Sequence, residues 1–222
     1  MGNRNISFTN GEFYHVYNRG VDKRDVFMDE YDRQRFFESM ESFNTIDPIG
    51  SIYEQSFSHD SLGGSTSKIW ESKEPLVNII AYCLNPNHFH FLLEQVEENG
   101  VSKFMHRLGG GYTMYFNEKY DRSGALFQGR FKAAHVYTNE YLLHVSAYVN
   151  LNYRVHQLGG STSKSSWEEY VGDVDGVNFC KKSIILEQFE NKEAYKTYAE
   201  DALGTMLDRK QKEKEIALMA IE

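Results

Sequence analysis

The sequence predicts an α+β fold, an antiparallel or mixed central sheet flanked by helices and followed by a C-terminal helical extension. Three observations carry this. Apolar residues switch repeatedly between alternating and helical spacing, the short Asn85-Pro86-Asn87 turn joins two apolar strands, and the resulting order is strand, helix, hairpin, helix, strand, helix. Phe13 to Asn18 reads as the first strand, closed by Asn18-Arg19-Gly20. Asp29 can cap a helix reaching about Phe43, with Phe36, Phe37, Met40 and Phe43 as its apolar stripe. Ile46 to Glu74 dissolves into Gly, Ser and acidic residues, the pattern of an insertion loop. Leu76 to Cys83 and His88 to Glu94 form the hairpin.

A helix follows from about Val101 to Tyr120, and Gly109-Gly110-Gly111 is expected to kink or interrupt it at roughly 1 kcal/mol per glycine. Arg130 to Tyr137 reads as another strand, and Thr138 or Asn139 caps a helix extending to about Tyr153. Beyond Gly159 a polar linker leads to a segment around Val177 to Phe189 and a final helix from about Lys192, whose charged end, Asp208 to Glu215, reads as frayed and solvated. The expected organisation is a core over residues 1–157, with the insertion at about 46–74, and a linker with helical extension over 158–222. Leu-Gly-Gly-Ser-Thr-Ser-Lys occurs at both 62–68 and 158–164. Seven residues are too few for a structural repeat, which needs about 20, so both copies read as linkers.

With 222 residues, 41% hydrophobic and 25% charged, the chain has the balance of one globular domain. No apolar run approaches the ~20 residues of a membrane span, and the N-terminus has no secretory apolar stretch, so a cytoplasmic location without a membrane partner is expected. Cys83 and Cys180 lie far apart and read as free core thiols. A net charge of −8 argues against coating duplex DNA by bulk electrostatics. Yet Val101 to Tyr137 carries Lys103, Arg107, Lys119, Arg122, Arg130 and Lys132 against Glu118 and Asp121, so this stretch is +4 and the remainder −12. It is either a basic surface or a set of ordinary solvated faces.

His88 and His90 are two apart on a strand, so both imidazoles project from one face about 6.6 Å apart, while Phe89, Phe91 and Leu93 face a core. Such a pair can ligate a metal or simply be the outward residues of a half-buried strand. Two nitrogens do not complete a structural zinc shell, so a third donor must come from elsewhere. On the helix after Thr138, Tyr141, His144, Tyr148 and Asn152 recur at spacings of three and four. Tyr148 and Asn152 are one turn apart, so an amide oxygen and a phenol can meet one site. Tyr112 and Tyr115 compete as reactive phenols, although Tyr115 and Asn117 fall on different helix faces. His144 is a candidate proton acceptor or a plain surface histidine.

Asn85-Pro86-Asn87-His88-Phe89-His90-Phe91-Leu92-Leu93, preceded by Tyr14-His15-Val16-Tyr17-Asn18-Arg19-Gly20, resembles the single-tyrosine HUH transposases, in particular the REP-associated tyrosine transposase group of insertion-sequence-like enzymes. Gly124-Ala125-Leu126-Phe127-Gln128-Gly129-Arg130-Phe131-Lys132 and Tyr148-Val149-Asn150-Leu151-Asn152 resemble two further motifs of that family, so the likeness runs from about Phe13 to Val155. It implies a ferredoxin-like (RRM-like) core, His88, His90 and Asn152 as ligands of Mg2+ or Mn2+, and Tyr148 as nucleophile. The implied activity is nicking and rejoining of single-stranded DNA at hairpin-bearing repeat or transposon ends through a 5′-phosphotyrosine intermediate. A noncatalytic hairpin-binding repressor on the same scaffold is the alternative. Many relatives carry proline after the Asn where this chain has Tyr153, so the helix is expected to continue.

For DNA contact the candidates are Arg19, Lys23 and Arg24, then Lys103 and Arg107, then Gln128, Arg130 and Lys132, with Gln128 or Asn18 able to read a base edge. Phe127 can stack an unpaired base or belong to the core. The expected partner is single-stranded DNA with a hairpin, bound by a monomer or homodimer. The segment before Thr138 has no glycine hinge, which favours catalysis within one chain.

Overall fold

The computed structural model describes residues 6–47, 74–159, 162–172 and 179–219. Its strands are β1 (Phe13–Arg19), β2 (Val77–Asn85), β3 (His88–Gln95), β4 (Lys132–Val136) and β5 (Lys164–Ser165). Its helices are α1 (Glu30–Ser42), α2 (Gly100–Lys119), α3 (Asn139–Asn150), α4 (Asn152–Val155), α5 (Trp167–Val171), α6 (Ser183–Leu186) and α7 (Lys192–Met219). All described strand pairs are antiparallel, in the order β4-β1-β3-β2-β5. Up to β4 this is the βαββαβ arrangement of ferredoxin-like folds, with β3 at its centre and β5 added at one edge.

Side-chain alternation decides which layer each face meets. Phe89 and Phe91 on β3 pack with Phe36 of α1, whose ring meets theirs at 5.4 and 6.3 Å. Asp29 caps α1 as expected, its carboxylate accepting from the Asp32 amide, and Thr138 caps α3 through the Tyr141 amide. The fully buried Asp32 carboxylate accepts from Lys119, Tyr115 and Tyr120, which ties α1 to α2.

Three expectations are corrected. Helix α2 runs uninterrupted through Gly109-Gly110-Gly111, because Val101, Phe104, Leu108 and Tyr112 on its inner face are wholly buried. Burial of about 1.5 kcal/mol or more per such side chain outweighs the glycine penalty. The helix expected to reach Tyr153 breaks at Leu151 and restarts as α4. Asn150, Leu151 and Asn152 are consecutive and all buried, which the break permits where a straight helix would turn one of them outward. Finally, the strand expected from Arg130 begins at Lys132, since Gly129 adopts a left-handed φ of 75° and turns the chain there.

The linker reading also changes for the second Leu-Gly-Gly-Ser-Thr-Ser-Lys copy. Its Lys164 pairs with Leu84 as part of β5, and Ser166 just beyond is fully buried, bonded to both backbone groups of Tyr82. The first copy, and nearly all of the insertion expected at about 46–74, lie outside the described residues. The ends of that segment meet, the Ile46 amide donating to the Glu74 carbonyl at 3.1 Å. No described helix is long and apolar enough to cross a membrane.

Helix α7 is part of the core: Tyr195, Ala199 and Leu203 are buried against the rest of the fold. The Tyr195 hydroxyl takes a hydrogen bond from Asn150 Nδ2 at 2.8 Å and shares one with Ser146 at 3.2 Å. Asn150 Oδ1 in turn accepts from Ser166 Oγ at 2.5 Å. This buried network fastens α3 between sheet and C-terminal segment. Replacing Tyr195 by Phe strands the Asn150 donor and is expected to lower unfolding free energy by about 2 kcal/mol, read as a reduced urea midpoint at unchanged m-value.

Candidate functional site

Helix α3 covers the face of β3 that carries His88 and His90, so both imidazoles are buried, 9% and 7% exposed. Each ring nitrogen near this interface then needs a partner. His88 Nδ1 lies 2.6 Å from Asn87 Oδ1 and must donate to it, since a carbonyl oxygen only accepts. The lone pair therefore sits on Nε2, which receives Asn85 Nδ2 at 2.9 Å. The same Asn85 amide donates to Asn152 Oδ1 at 2.7 Å, and that oxygen is 3.3 Å from His88 Nε2. Asn85 is itself fully buried, its oxygen facing the Cys83 thiol, which burial pushes up to about 12 and keeps protonated.

His90 is held differently. Its ring stacks on His15 and Tyr17, with centroids 5.1 and 5.5 Å away, and its Nδ1 shares a 2.9 Å hydrogen bond with His15 Nε2. The tautomer with the proton on His90 Nδ1 leaves Nε2 as a free lone pair. Tyr148 presents its ring at near right angles to both, 5.5 Å from His90 and 5.6 Å from His15. His156 of the turn after α4 meets His88 at 4.8 Å.

Burial governs the protonation of these groups. It lowers His15 and His88 to about 4 and His90 well below its ordinary value, with neighbouring imidazoles adding to the effect on His90. All three are neutral at pH 7, the form in which imidazole ligates metals. Burial raises the Tyr148 phenol, while the Asn152 side chain pulls it back. Arg19 stands nearby with its Nε buried and lacking a protein partner, as does Asn152 Nδ2. Arg19, His88, His90 and Tyr148 line an open cavity of about 290 Å³ together with Tyr17, Asn18, Gln128, Lys132 and His156, and the buried Asn152 side chain reaches His88 from behind it.

Among the described residues no three His, Cys, Asp or Glu side chains converge as a metal cluster, so a cation here requires an amide oxygen. The donor set fits one. Two ligands at right angles, about 2.1 Å from Mg2+, stand about 3 Å apart, close to the 3.3 Å between His88 Nε2 and Asn152 Oδ1. Two neutral nitrogens and one oxygen suit a divalent ion that keeps open positions. The Asn85 amide now lies toward both donor atoms and would have to yield its two hydrogen bonds.

Of the residues singled out from sequence, His88, His90, Tyr148 and Asn152 come together, joined in the cavity by Arg19, Gln128 and Lys132. Arg130 lines a neighbouring groove, and Lys103 is exposed on α2. Lys23 and Arg24 are exposed in the turn after β1. Arg107 is committed elsewhere, its guanidinium donating to the Thr45 and Ile46 carbonyls. Tyr112 and Tyr115 bond the Val26 carbonyl and Asp32, which gives both structural roles. Phe127 is buried against Phe89, and His144 is exposed outside the cavity. Sequence reasoning missed the parts played by Asn85, His15, Tyr17 and His156. The Tyr14-His15-Val16-Tyr17 alternation placed His15 and Tyr17 on one face of β1, but only the register, with Tyr17 opposite His90, brings them to the site.

A family model described as IS200-like transposase matches residues 13–152. A solved structure, described as a REP-associated tyrosine transposase bound to a REP hairpin, shares the fold with a TM-score of 0.50 at 12% identity, covering 78% of this chain and 87% of that one. No curated protein matches the sequence. The family match spans every strand of the ferredoxin-like core together with the histidine strand and the Tyr148–Asn152 segment, and the chain belongs to the IS200-like transposases.

Proposed function

We propose that this transposase nicks and rejoins single-stranded DNA at hairpin-bearing repeat or transposon ends, with Tyr148 as nucleophile and His88, His90 and Asn152 holding Mg2+ or Mn2+. The observation that carries the reading is the meeting of a phenol, two imidazoles and an amide in one chain: the Tyr148 ring 5.5 Å from His90, and His88 Nε2 3.3 Å from Asn152 Oδ1. A phenol ionises near pH 10, and burial raises Tyr148 further, so attack on phosphorus needs help. A divalent ion held by His88, His90 and Asn152 would supply it as a Lewis acid toward the phosphate.

The protein's own groups do the rest. Arg19 and Lys132 bring positive charge to the phosphate, and the unpartnered Arg19 Nε is a donor waiting for an acceptor. Tyr148 Oη forms the new bond to phosphorus as its proton leaves to solvent, and the bond to the 3′ oxygen breaks, that oxygen taking a proton to become a 3′-hydroxyl. The DNA remains joined through a 5′-phosphotyrosine, and the reverse attack by a 3′-hydroxyl reseals a strand without ATP. His15 acts as a positioning residue that holds the His90 ring in place through the 2.9 Å bond. We assign residues 1–157 to the catalytic core, with 158–222 as the extension that clamps α3.

The alternative, a noncatalytic hairpin-binding repressor, draws on one observation: the Asn85 amide already satisfies both His88 Nε2 and Asn152 Oδ1. The two readings separate on covalent chemistry. Incubated with a labelled single-stranded hairpin and Mg2+ or Mn2+, the wild type is expected to give a denaturation-resistant protein–DNA adduct, and Tyr148→Phe none, at hairpin affinity within about twofold. Undiminished adduct in Tyr148→Phe moves the nucleophile elsewhere. In the second test, chelation of divalent ions or His88→Ala with His90→Ala reduces nicking by on the order of a thousandfold. Nicking that is indifferent to both rejects the metal role.

A further inference from the structure

A second groove lies beside the first, between the outward face of α2 and the loop carrying Phe127 to Phe131, with a volume of about 450 Å³. Ser102, Met105, His106, Gly109 and Gly110 face it, at the spacings of one helix side. The three consecutive glycines of α2 have different surroundings. A Cβ on Gly111 would strike the Phe43 ring at 2.6 Å, so packing of α1 accounts for that one. On Gly109 or Gly110 a Cβ would meet no protein atom within 4 Å. Each of these two weakens the helix relative to alanine without gaining an internal contact. Their effect is to leave a flat, open surface in the groove.

The opposite wall supplies complementary chemistry. Phe89 and Phe127 are buried apolar surface, Phe131 is half-exposed, and the exposed Arg130 brings a cation. The loop is pinned where it divides the two cavities, the Gln128 amide donating to the Arg19 carbonyl at 2.7 Å and Asn18 Nδ2 to the Gly129 carbonyl at 3.2 Å. Gly129, at φ 75°, turns the chain so that Gln128 lines the histidine cavity and Arg130 the groove. Asn18 lines both. A strand whose phosphate lies at Tyr148 can therefore pass over Asn18 and enter the groove without leaving the protein surface.

We infer that this groove binds one unpaired nucleotide of the same DNA strand, its base lying on the Gly109–Gly110 surface against Phe131 and its phosphate on Arg130. The inference rests on the proposed DNA reading and extends it to a base-binding subsite separate from the reacting phosphate. Flat apolar slots with a cationic rim hold single-stranded bases by stacking and are tolerant of base identity. The groove's size is that of a small-ligand site.

The test uses the full chain and hairpins with single-stranded flanks in which each flanking nucleotide is made abasic in turn. Wild type is expected to show one position where loss of the base weakens binding about tenfold by fluorescence anisotropy. In Gly110→Leu, which fills the groove on an exposed helix face and leaves the melting temperature unchanged or higher, that position's penalty disappears while the others stay. Arg130→Gln is expected to reduce the salt dependence of affinity by about one phosphate contact, only for flanks long enough to reach the groove. An abasic profile without such a position, or one identical in wild type and Gly110→Leu, overturns the subsite. If wild type nevertheless forms the Tyr148 adduct, the subsite alone falls. If it neither binds hairpins nor forms an adduct, the reading of the catalytic cavity falls with it.

Discussion

Two imidazoles on the middle strand of a sheet can be buried only where their ring nitrogens find partners, because an unsatisfied polar group in the interior costs about 1–3 kcal/mol. This requirement organises the histidine face. His88 is answered by Asn87 on one side and by Asn85 on the other, and His90 by His15 from the adjacent strand. The partners also set which nitrogen keeps its lone pair. With Asn87 fixing the proton on Nδ1, His88 presents Nε2 to the same point as Asn152 Oδ1. Neutrality follows from the same burial, so the strand that seats these imidazoles also presents unprotonated nitrogen donors.

The opposing layer has to be held as firmly as the strand. Asn150 and Asn152 stand two residues apart at the end of α3 and point to different neighbours. Asn150 joins Tyr195 and Ser166, and Asn152 joins Asn85 and His88. The break at Leu151 makes this possible, since a continuous helix would separate the two by about 200° around its axis. The C-terminal segment thus acts on the candidate site at one remove. It fixes the end of α3 from outside while the histidine strand engages it from inside, and Tyr148, one turn earlier, inherits its position from both.

The α+β class, the hairpin with its two histidines, both helix caps and the Tyr148–Asn152 turn were legible because each rests on local chemistry: alternation, turn residues, or a spacing of four. What was not legible depended on register or on distant chain. His15 reaches His90 because β1 pairs with β3 in a particular register, and Asn85 reads in sequence as an ordinary turn residue until Asn152 arrives opposite it. The glycine run misled because propensity is a weak force against an inner face as apolar as Val101, Phe104, Leu108 and Tyr112. The second Leu-Gly-Gly-Ser-Thr-Ser-Lys copy misled for the converse reason. Its composition is that of a linker, yet β2 has an unpaired edge there, and two residues of almost any kind can supply backbone hydrogen bonds.

Charge is distributed by the same logic. Of the six cations between Val101 and Tyr137, Lys119 is tied to Asp29 and Asp32, Arg107 to the Thr45 and Ile46 carbonyls, and Arg122 to Asn117 and the Ala125 carbonyl. Those three maintain the fold. Lys132 and Arg130 open instead onto the two adjoining cavities, with Arg19 from β1 beside the histidines. A chain of net charge −8 repels a polyanion at long range, so its hold on DNA has to come from a short track of cations rather than from its overall field. Under the proposed function, such a track would favour a strand that can bend into cavities and bare its bases over a rigid duplex, and the acidity of the remaining surface would become part of the discrimination.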